Sequence, residues 1–451
     1  MKLRQEYKTQ GIYISLGLII LLLPFLKSFF LIVFLGGALL FSSLSPKSPV
    51  FGMLARESDI KAGKLTGLVQ LFFTMGILML MGFLTGFDRF PLFLIAGAFA
   101  ITTFGDGVAD LVNIHDKVRN ADTQQNGIKI YSAKSSIVFL ISGSIYAFLV
   151  GVWISGFTLH VPYGMLFFLA VIGSITGALL ESMTVTEDNI LIPFGSAMVM
   201  WLFYAFSFSY NVDTVYLIQA LLFAFMLGYL AYRARIADIS AMLSATLLGV
   251  VIIISSNFFW FFILLSFFLL GGIFTRYKYN FKLARGIAEG KGGVRGYRNV
   301  FSNSLAALAL AMAFRIFPAS SAFLLPAYLG SIATATGDTL ASEIGETCKG
   351  EPRMITTLKK VPAGTDGAIS SLGEYAAFFG ASVIAVLAFF LISNDTGLLI
   401  AVAAGGFIGT NIDSVLGATL QRKGYLSNNG VNLLATISGS IVSGIIYGLV
   451  V

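Results

Sequence analysis

Gly397–Leu416 reads GLLIAVAAGGFIGTNIDSVL and holds a single ionisable residue, Asp413, near its end. A helix of about 20 residues rises roughly 30 Å, the depth of a bilayer's hydrocarbon core. The polar side chains Thr410, Asn411, Asp413 and Ser414 gather at one end, so the stretch reads as a membrane helix with a polar mouth. A carboxylate there is costly and marks a functional candidate. The rest of the chain extends this reading. Its 451 residues are 57% hydrophobic and 11% charged, with a mean hydropathy of +0.87, a balance no soluble domain has. Fifteen apolar runs read as helices, at 11–25, 28–42, 66–86, 91–104, 135–157, 163–180, 190–209, 213–231, 238–256, 258–274, 300–317, 321–337, 367–392, 397–416 and 431–451. The expected fold is an all-α polytopic membrane protein of about 15 transmembrane helices.

The net charge of +7 reports membrane topology rather than nucleic-acid binding. Of 29 Lys and Arg residues, only Lys27, Arg89 and Arg315 lie away from the N-terminus and the loops 43–65, 105–134, 181–189, 232–237, 275–299, 338–366 and 417–430. That side is expected to be cytoplasmic, with the C-terminus outside. The run 11–25 passes through Lys27 into a second run, so both read as retained helices rather than a cleaved signal. The 42 Phe residues suit lipid-facing surfaces. The single cysteine, Cys348, excludes an internal disulfide, and two histidines, His115 and His160, are too few for a His-based centre.

Asp413 has counterparts. Asp106 and Glu181 lie 75 positions apart, as do Asp338 and Asp413. The pairs open with Gly105-Asp106-Gly107-Val108-Ala109 and Gly337-Asp338-Thr339-Leu340-Ala341, and close near Glu187-Asp188-Asn189 and Ser427-Asn428-Asn429. Upstream, Ala55-Arg56 and Ala284-Arg285 each follow two helices and precede a basic, Gly-containing stretch. The chain reads as two duplicated halves, 1–235 and 236–451, with the helix 213–231 as the joint. Eight helices separate Asp106 from Asp338, and an even number makes the repeat parallel. Inverted repeats with a midplane site are a transporter pattern. Here the polar residues sit at helix ends, where a soluble nucleotide and a lipid hydroxyl can meet.

Carboxylates, Lys or Arg, Asn and Gly-rich turns recur on the loop side, the set that phosphoryl transfer needs. Carboxylates hold Mg²⁺, basic groups neutralise polyphosphate, and Gly lets backbone N–H groups approach its oxygens. A missing His or Cys nucleophile is no objection to that chemistry. Gly63-Lys64 is followed by Leu65, so there is no P-loop, and no strand-to-helix GxGxxG exists. The segment from Asp338 to Ser370 is the richest, with Glu343, Arg353, Lys360 and Gly364-Thr365-Asp366-Gly367. Thr365 or Asp366 reads either as an N-cap or, with Lys360, as part of an anion seat. Asn411 is either a helix-helix contact or a site residue. Lys134-Ser135 opens a helix 28 residues after Asp106, and Lys134 either snorkels or binds phosphate.

Residues 280–451 resemble the phytyl-phosphate kinase family, which includes eukaryotic transmembrane protein nineteen. The resemblance rests on Ala335 through Gly345, Arg353-Met354-Ile355-Thr356-Thr357, Lys360 to Ser370, Asp413 through Gln421, and Asn429 through Asn432. Residues 1–210 are similar to the phytol, dolichol and polyprenol kinases, through Gly105 to Ala109, Lys134-Ser135, Glu181 and Asp188 through Pro193. Ile137-Val138 stand where that family's motif has Glu-Gly. These resemblances imply phosphorylation of an isoprenoid alcohol in the first half and of its monophosphate in the second. They further imply CTP or another nucleoside triphosphate as donor, and Mg²⁺ or Mn²⁺. Asp106, Glu181, Asp338 and Asp413 are the implied catalytic groups, with Asp106, Asp338 and Asp413 on the metal. Lys134, Ser135, Asn189, Glu343, Arg353, Lys360, Gly364, Thr365, Gly367, Asn411, Asn429 and Asn432 are the implied nucleotide or phosphate contacts. Partners are the two isoprenoids, the nucleotide and the bilayer, with no nucleic acid; a homo-oligomer is compatible with the sequence. The rival readings are a membrane cytidylyltransferase acting on a lipid phosphate and a lipid transporter or flippase without nucleotide turnover.

Overall fold

A chain in hydrocarbon must satisfy its own backbone groups, and each of the fifteen apolar runs does so as a helix. In a computed structural model these are α1 (Lys2–Gly17, continued by a 3-10 turn Leu18–Leu22), α2 (Lys27–Ser43), α3 (Thr66–Thr85), α4 (92–119), α5 (Ala133–Phe157), α6 (Tyr163–Met183), α7 (Asp188–Ala205), α8 (Thr214–Arg233), α9 (Ile239–Ser255), α10 (Phe258–Arg276), α11 (Tyr297–Ile316), α12 (Ser321–Gly345), α13 (Ser371–Leu391), α14 (Thr396–Leu416) and α15 (Asn428–Val450). The structure describes residues 2–55, 57–119, 132–183, 188–210, 212–348 and 350–451; Arg56 and Glu187 of the sequence repeat lie outside them. Among the described residues, eleven helices are long and apolar enough to cross a membrane, and three shorter apolar helices accompany them. The protein is an all-α polytopic membrane protein. Its described sheet is one two-residue antiparallel pairing, β1 (Arg353–Met354) with β2 (Ala368–Ile369).

Three helix ends differ from the sequence reading. The loop expected from 105 begins later, because α4 continues through a π segment, Ile101–Asp106, into Gly107–Arg119. α12 runs on past Asp338 to Gly345, and α14 passes into a π segment, Gly417–Gln421. Polarity suggested helix ends at these places. The hydrogen-bond ladder continues because carboxylates placed inside a bundle do not interrupt backbone pairing. Thr102 and Thr103 donate their hydroxyls to Ala98 O at 2.9 Å and Phe99 O at 2.8 Å, at the turn where α4 widens.

The chain divides into two compact units, Met1–Leu217 and Ile218–Val451. In the first, α4 is central and packs against α1, α3, α5, α6 and α7. In the second, α12 holds that place among α10, α11, α13, α14 and α15. The helix pair preceding each five-helix core docks with its members exchanged: α1 lies on α4 and α2 on α3, whereas α9 lies on α11 and α10 on α12.

Glycines set the closest crossings. A Cβ on Gly105 would lie 3.3 Å from Gly143 Cα, and one on Gly380 would lie 3.1 Å from Gly337 Cα. In both units the glycine before the first acidic residue thus meets a glycine of the next long helix, as small residues allow in membrane bundles. At the far end of the first unit, about 16 Å along α1 from Gln10, Trp153 Nε1 donates to Leu21 O at 2.9 Å. Trp201 Nε1 donates to Arg89 O at 2.8 Å, and Lys27 sits 5.6 Å from the Phe87 ring centre. Such an aromatic and basic girdle suits a membrane interface.

Candidate functional site

In the first unit the close approach of α4 and α6 brings Asp106 and Glu181 together. Asp106 closes the π segment, Asp110 follows one turn later on the same helix, and Glu181 comes from the last turns of α6. One carboxylate oxygen from each lies within 4.8 Å of the others. Asp106 and Glu181 are 3% and 1% exposed, and Asp110 is half-buried. Gln10 Nε2, on α1, donates to Asp110 at 2.9 Å and to Gly107 O at 3.5 Å, fixing the third carboxylate. Three carboxylates this close repel one another unless protons or a cation sit among them. The donor set is all hard oxygen, which fits a divalent cation such as Mg²⁺. Sequence reading missed Asp110, although its spacing of four from Asp106 was the available signal.

The other predicted first-unit residues lie on α5 and α7. Lys134 is exposed at the start of α5. Ser135 takes part in a capping box: its hydroxyl receives Ser132 N–H at 3.2 Å while Ser132 Oγ receives Ser135 N–H at 3.1 Å. Asn189, in the first turn of α7, is buried against Gly67 of α3.

In the second unit the Asp338 and Asp413 carboxyl groups lie close enough to interact, and Asp366 interacts electrostatically with Asp413. Carboxylates this close repel one another unless a proton or a cation sits among them. The third carboxylate arrives by another route than in the first unit. The β1–β2 hairpin lies against the π segment that follows Asp413, with Gly367 at φ +76° packed on the Ala418 backbone. A Cβ on Gly417 would meet Gly367 N at 3.0 Å. Any side chain at 367 would push the hairpin away, and Asp366 with it.

The remaining predicted residues are distributed over this unit. Thr365 Oγ1 donates to Pro362 O at 2.7 Å, and Gly364 has φ +81°. Arg353 Nη1 donates to Leu358 O at 3.0 Å within the hairpin. Lys360 pairs with Glu351 at 3.0 Å on the surface, where such a pair contributes little. Asn411 Nδ2 donates to Glu374 at 3.3 Å and Phe407 O at 3.1 Å, linking α14 to α13. Asn432 Nδ2 reaches Asn303 Oδ1 at 3.5 Å, between α15 and α11, and Asn429 is half-buried in the first turn of α15. Glu343 is ion-paired with Lys282, a fully buried lysine on the short helix Tyr279–Ala284 that sequence reading did not single out.

Fold and site together define a polytopic helical membrane protein with grouped carboxylates among its helices. The chain belongs to the integral membrane protein family DUF92, whose sequence profile matches residues 222–440, inside the second unit. It is 34% identical over 241 residues to an uncharacterized membrane protein of Methanocaldococcus jannaschii, covering 52% of this chain and 98% of that one. An uncharacterized membrane protein of Synechocystis is 36% identical over 201 residues, covering 44% of this chain and 78% of that one. Protein VTE6, chloroplastic, of Arabidopsis thaliana is 30% identical over 210 residues, covering 45% of this chain and 63% of that one. No solved structure matches the chain.

Proposed function

We propose that this protein is a membrane phosphotransferase of isoprenoids, in which each unit carries one step. The first unit would phosphorylate an isoprenoid alcohol of the phytol or geranylgeraniol type, and the second its monophosphate, with CTP or another nucleoside triphosphate as donor. The observation that carries the reading is the buried group Asp106, Asp110 and Glu181, with oxygens within 4.8 Å, repeated at equal chain spacing by Asp338 and Asp413. The motif resemblance of both halves and the similarity to Protein VTE6 add to it.

The chemistry differs between the units in one respect. In the first, the alcohol oxygen bonds to the terminal phosphorus, the bond to the bridging oxygen breaks, nucleoside diphosphate leaves, and the hydroxyl proton passes to a carboxylate. In the second, a phosphate oxygen is the nucleophile and can react already deprotonated. A bound Mg²⁺ would neutralise charge on the donor's phosphates. Asp106, Asp110 and Glu181, or Asp338 and Asp413 with Asp366, would hold that ion. Lys134, Arg353 and Lys360 would meet the nucleotide from the basic, cytoplasmic side, while the hydrocarbon tail stays in the bilayer.

The test uses the purified chain with geranylgeraniol, phytol and their monophosphates, under labelled CTP or ATP and Mg²⁺. Labelled monophosphate and diphosphate are expected. Asp106→Asn should abolish the first step alone, and Asp338→Asn the second alone. Absence of labelled product from every substrate overturns the reading. Pyrophosphate release with CTP would instead indicate a cytidylyltransferase, and flux in proteoliposomes without nucleotide turnover a transporter.

A further inference from the structure

Arg295 lies outside the carboxylate group and has no part in the reaction above. It is 8% exposed, and its main chain is held firmly: Arg295 N donates to Ile236 O at 2.9 Å, and Arg295 O accepts from Asp238 N at 2.9 Å. Its side chain leans on α10, where a Cβ on Gly271 would lie 2.5 Å from Nη2 and the Phe267 ring centre lies 5.6 Å from Cζ. Glycine at 271 is what admits the guanidinium. Nη1 is buried and donates no hydrogen bond. Glu343 and Glu289 interact with the charge, but Glu343 is already ion-paired with Lys282. A buried, permanently ionised donor without an acceptor is costly, and its natural complement is an anion.

Arg295 also forms part of the wall of a cavity of about 60 Å³ within the second unit, and it is the one charged side chain there. The other walls are apolar and narrow: Phe261, Leu265 and Phe268 along α10, and Gly228 and Ala245 from α8 and α9. From 261 to 268 the slot follows α10 for about 10 Å. One water needs about 10–15 Å³ of such space, so the cavity takes about four, room for the first few carbons of one chain and not of two. An apolar wall holds hydrocarbon, and a guanidinium fork suits the oxygens of a phosphate.

We infer that Arg295 and this cavity form a seat for an amphiphile with a phosphate head on a single hydrocarbon chain. Arg295 takes the head, and the carbons nearest it lie along Phe268, Leu265 and Phe261. The seat needs no nucleotide and no phosphotransfer, so it stands or falls apart from the proposed reaction.

Native mass spectrometry of the purified full-length chain, titrated with geranylgeranyl monophosphate, hexadecyl phosphate, hexadecanol, dioleoyl phosphatidic acid and inorganic phosphate, tests it. Both single-chain phosphates should saturate one site, with every other probe weaker by at least about tenfold. Arg295→Met removes the head contact and Ala245→Phe fills the slot. Each should weaken single-chain phosphate by about tenfold or more, in protein that keeps its thermal unfolding transition. Asp338→Asn should bind as the unaltered chain does. If Arg295→Met and Ala245→Phe bind normally, the seat is elsewhere and the inference fails. Inorganic phosphate binding equally well, phosphatidic acid binding better, or loss of binding in Asp338→Asn overturns it too.

Discussion

Lys282 is fully buried, with its ammonium donating to Thr275 O at 2.9 Å and Phe274 O at 3.4 Å besides its ion pair with Glu343. Removing one member of such a pair leaves the other charged and unpartnered. Lys282→Met is therefore expected to destabilise the second unit by about 3–5 kcal/mol, and adding Glu343→Leu to recover much of the loss. Thermal unfolding of the single and double variants checks this, and a double variant worse than the sum of its parts would contradict it. Glu346 follows just past the end of α12. Burial, then the neighbouring Glu343, raise its carboxyl from 4.5 to about 7, with Lys282 opposing and Glu289 adding. The folded chain thus holds that proton more tightly than the unfolded one. Its favourable contribution is complete below about pH 4.5 and is lost as pH rises to about 7. Glu346→Gln should raise the melting temperature at pH 8 and leave it unchanged near pH 4; an equal gain at both would exclude titration as the cause.

Helices bring the acidic residues together by crossing closely at glycine. A Cβ on Gly337 would lie 2.6 Å from Thr410 Oγ1 and 3.0 Å from Ala377 O, so α12, α13 and α14 must part to admit it. Gly337→Ala should cost about 1–3 kcal/mol through overpacking, and by separating Asp338 from Asp413 it should abolish the monophosphate step. Gly448→Ala, where a Cβ meets nothing within 4 Å, should be neutral or slightly stabilising. Unfolding and turnover measured on both variants decide the matter; equal tolerance would mean that the crossing does not hold the pair. The π segments at Ile101–Asp106 and Gly417–Gln421 belong to the same scale. Each shifts the helical register beside a carboxylate, and composition carries no mark of such a shift.

For the whole molecule, the basic loops are expected to lie on one side of the bilayer. On a Cys348→Ser background, Lys423→Cys should react with an impermeant maleimide only after permeabilisation, whereas Asn394→Cys, in the turn between α13 and α14, should react in intact cells. The reverse pattern would invert the proposed topology. All fifteen helices were legible in the sequence, because hydrocarbon leaves an apolar run no other way to satisfy its backbone. The pairing of Asp106 with Glu181 and of Asp338 with Asp413 was legible as a repeated spacing. Asp110 carried a local signal in its spacing of four from Asp106, whereas Asp366 as a third carboxylate, Lys282 beneath Glu343, and Arg295 against Gly271 were decided by tertiary structure alone. Each depends on how closely two helices, or a hairpin and a helix, approach. That distance is set by side chains far apart in the chain, and no local pattern of polarity encodes it.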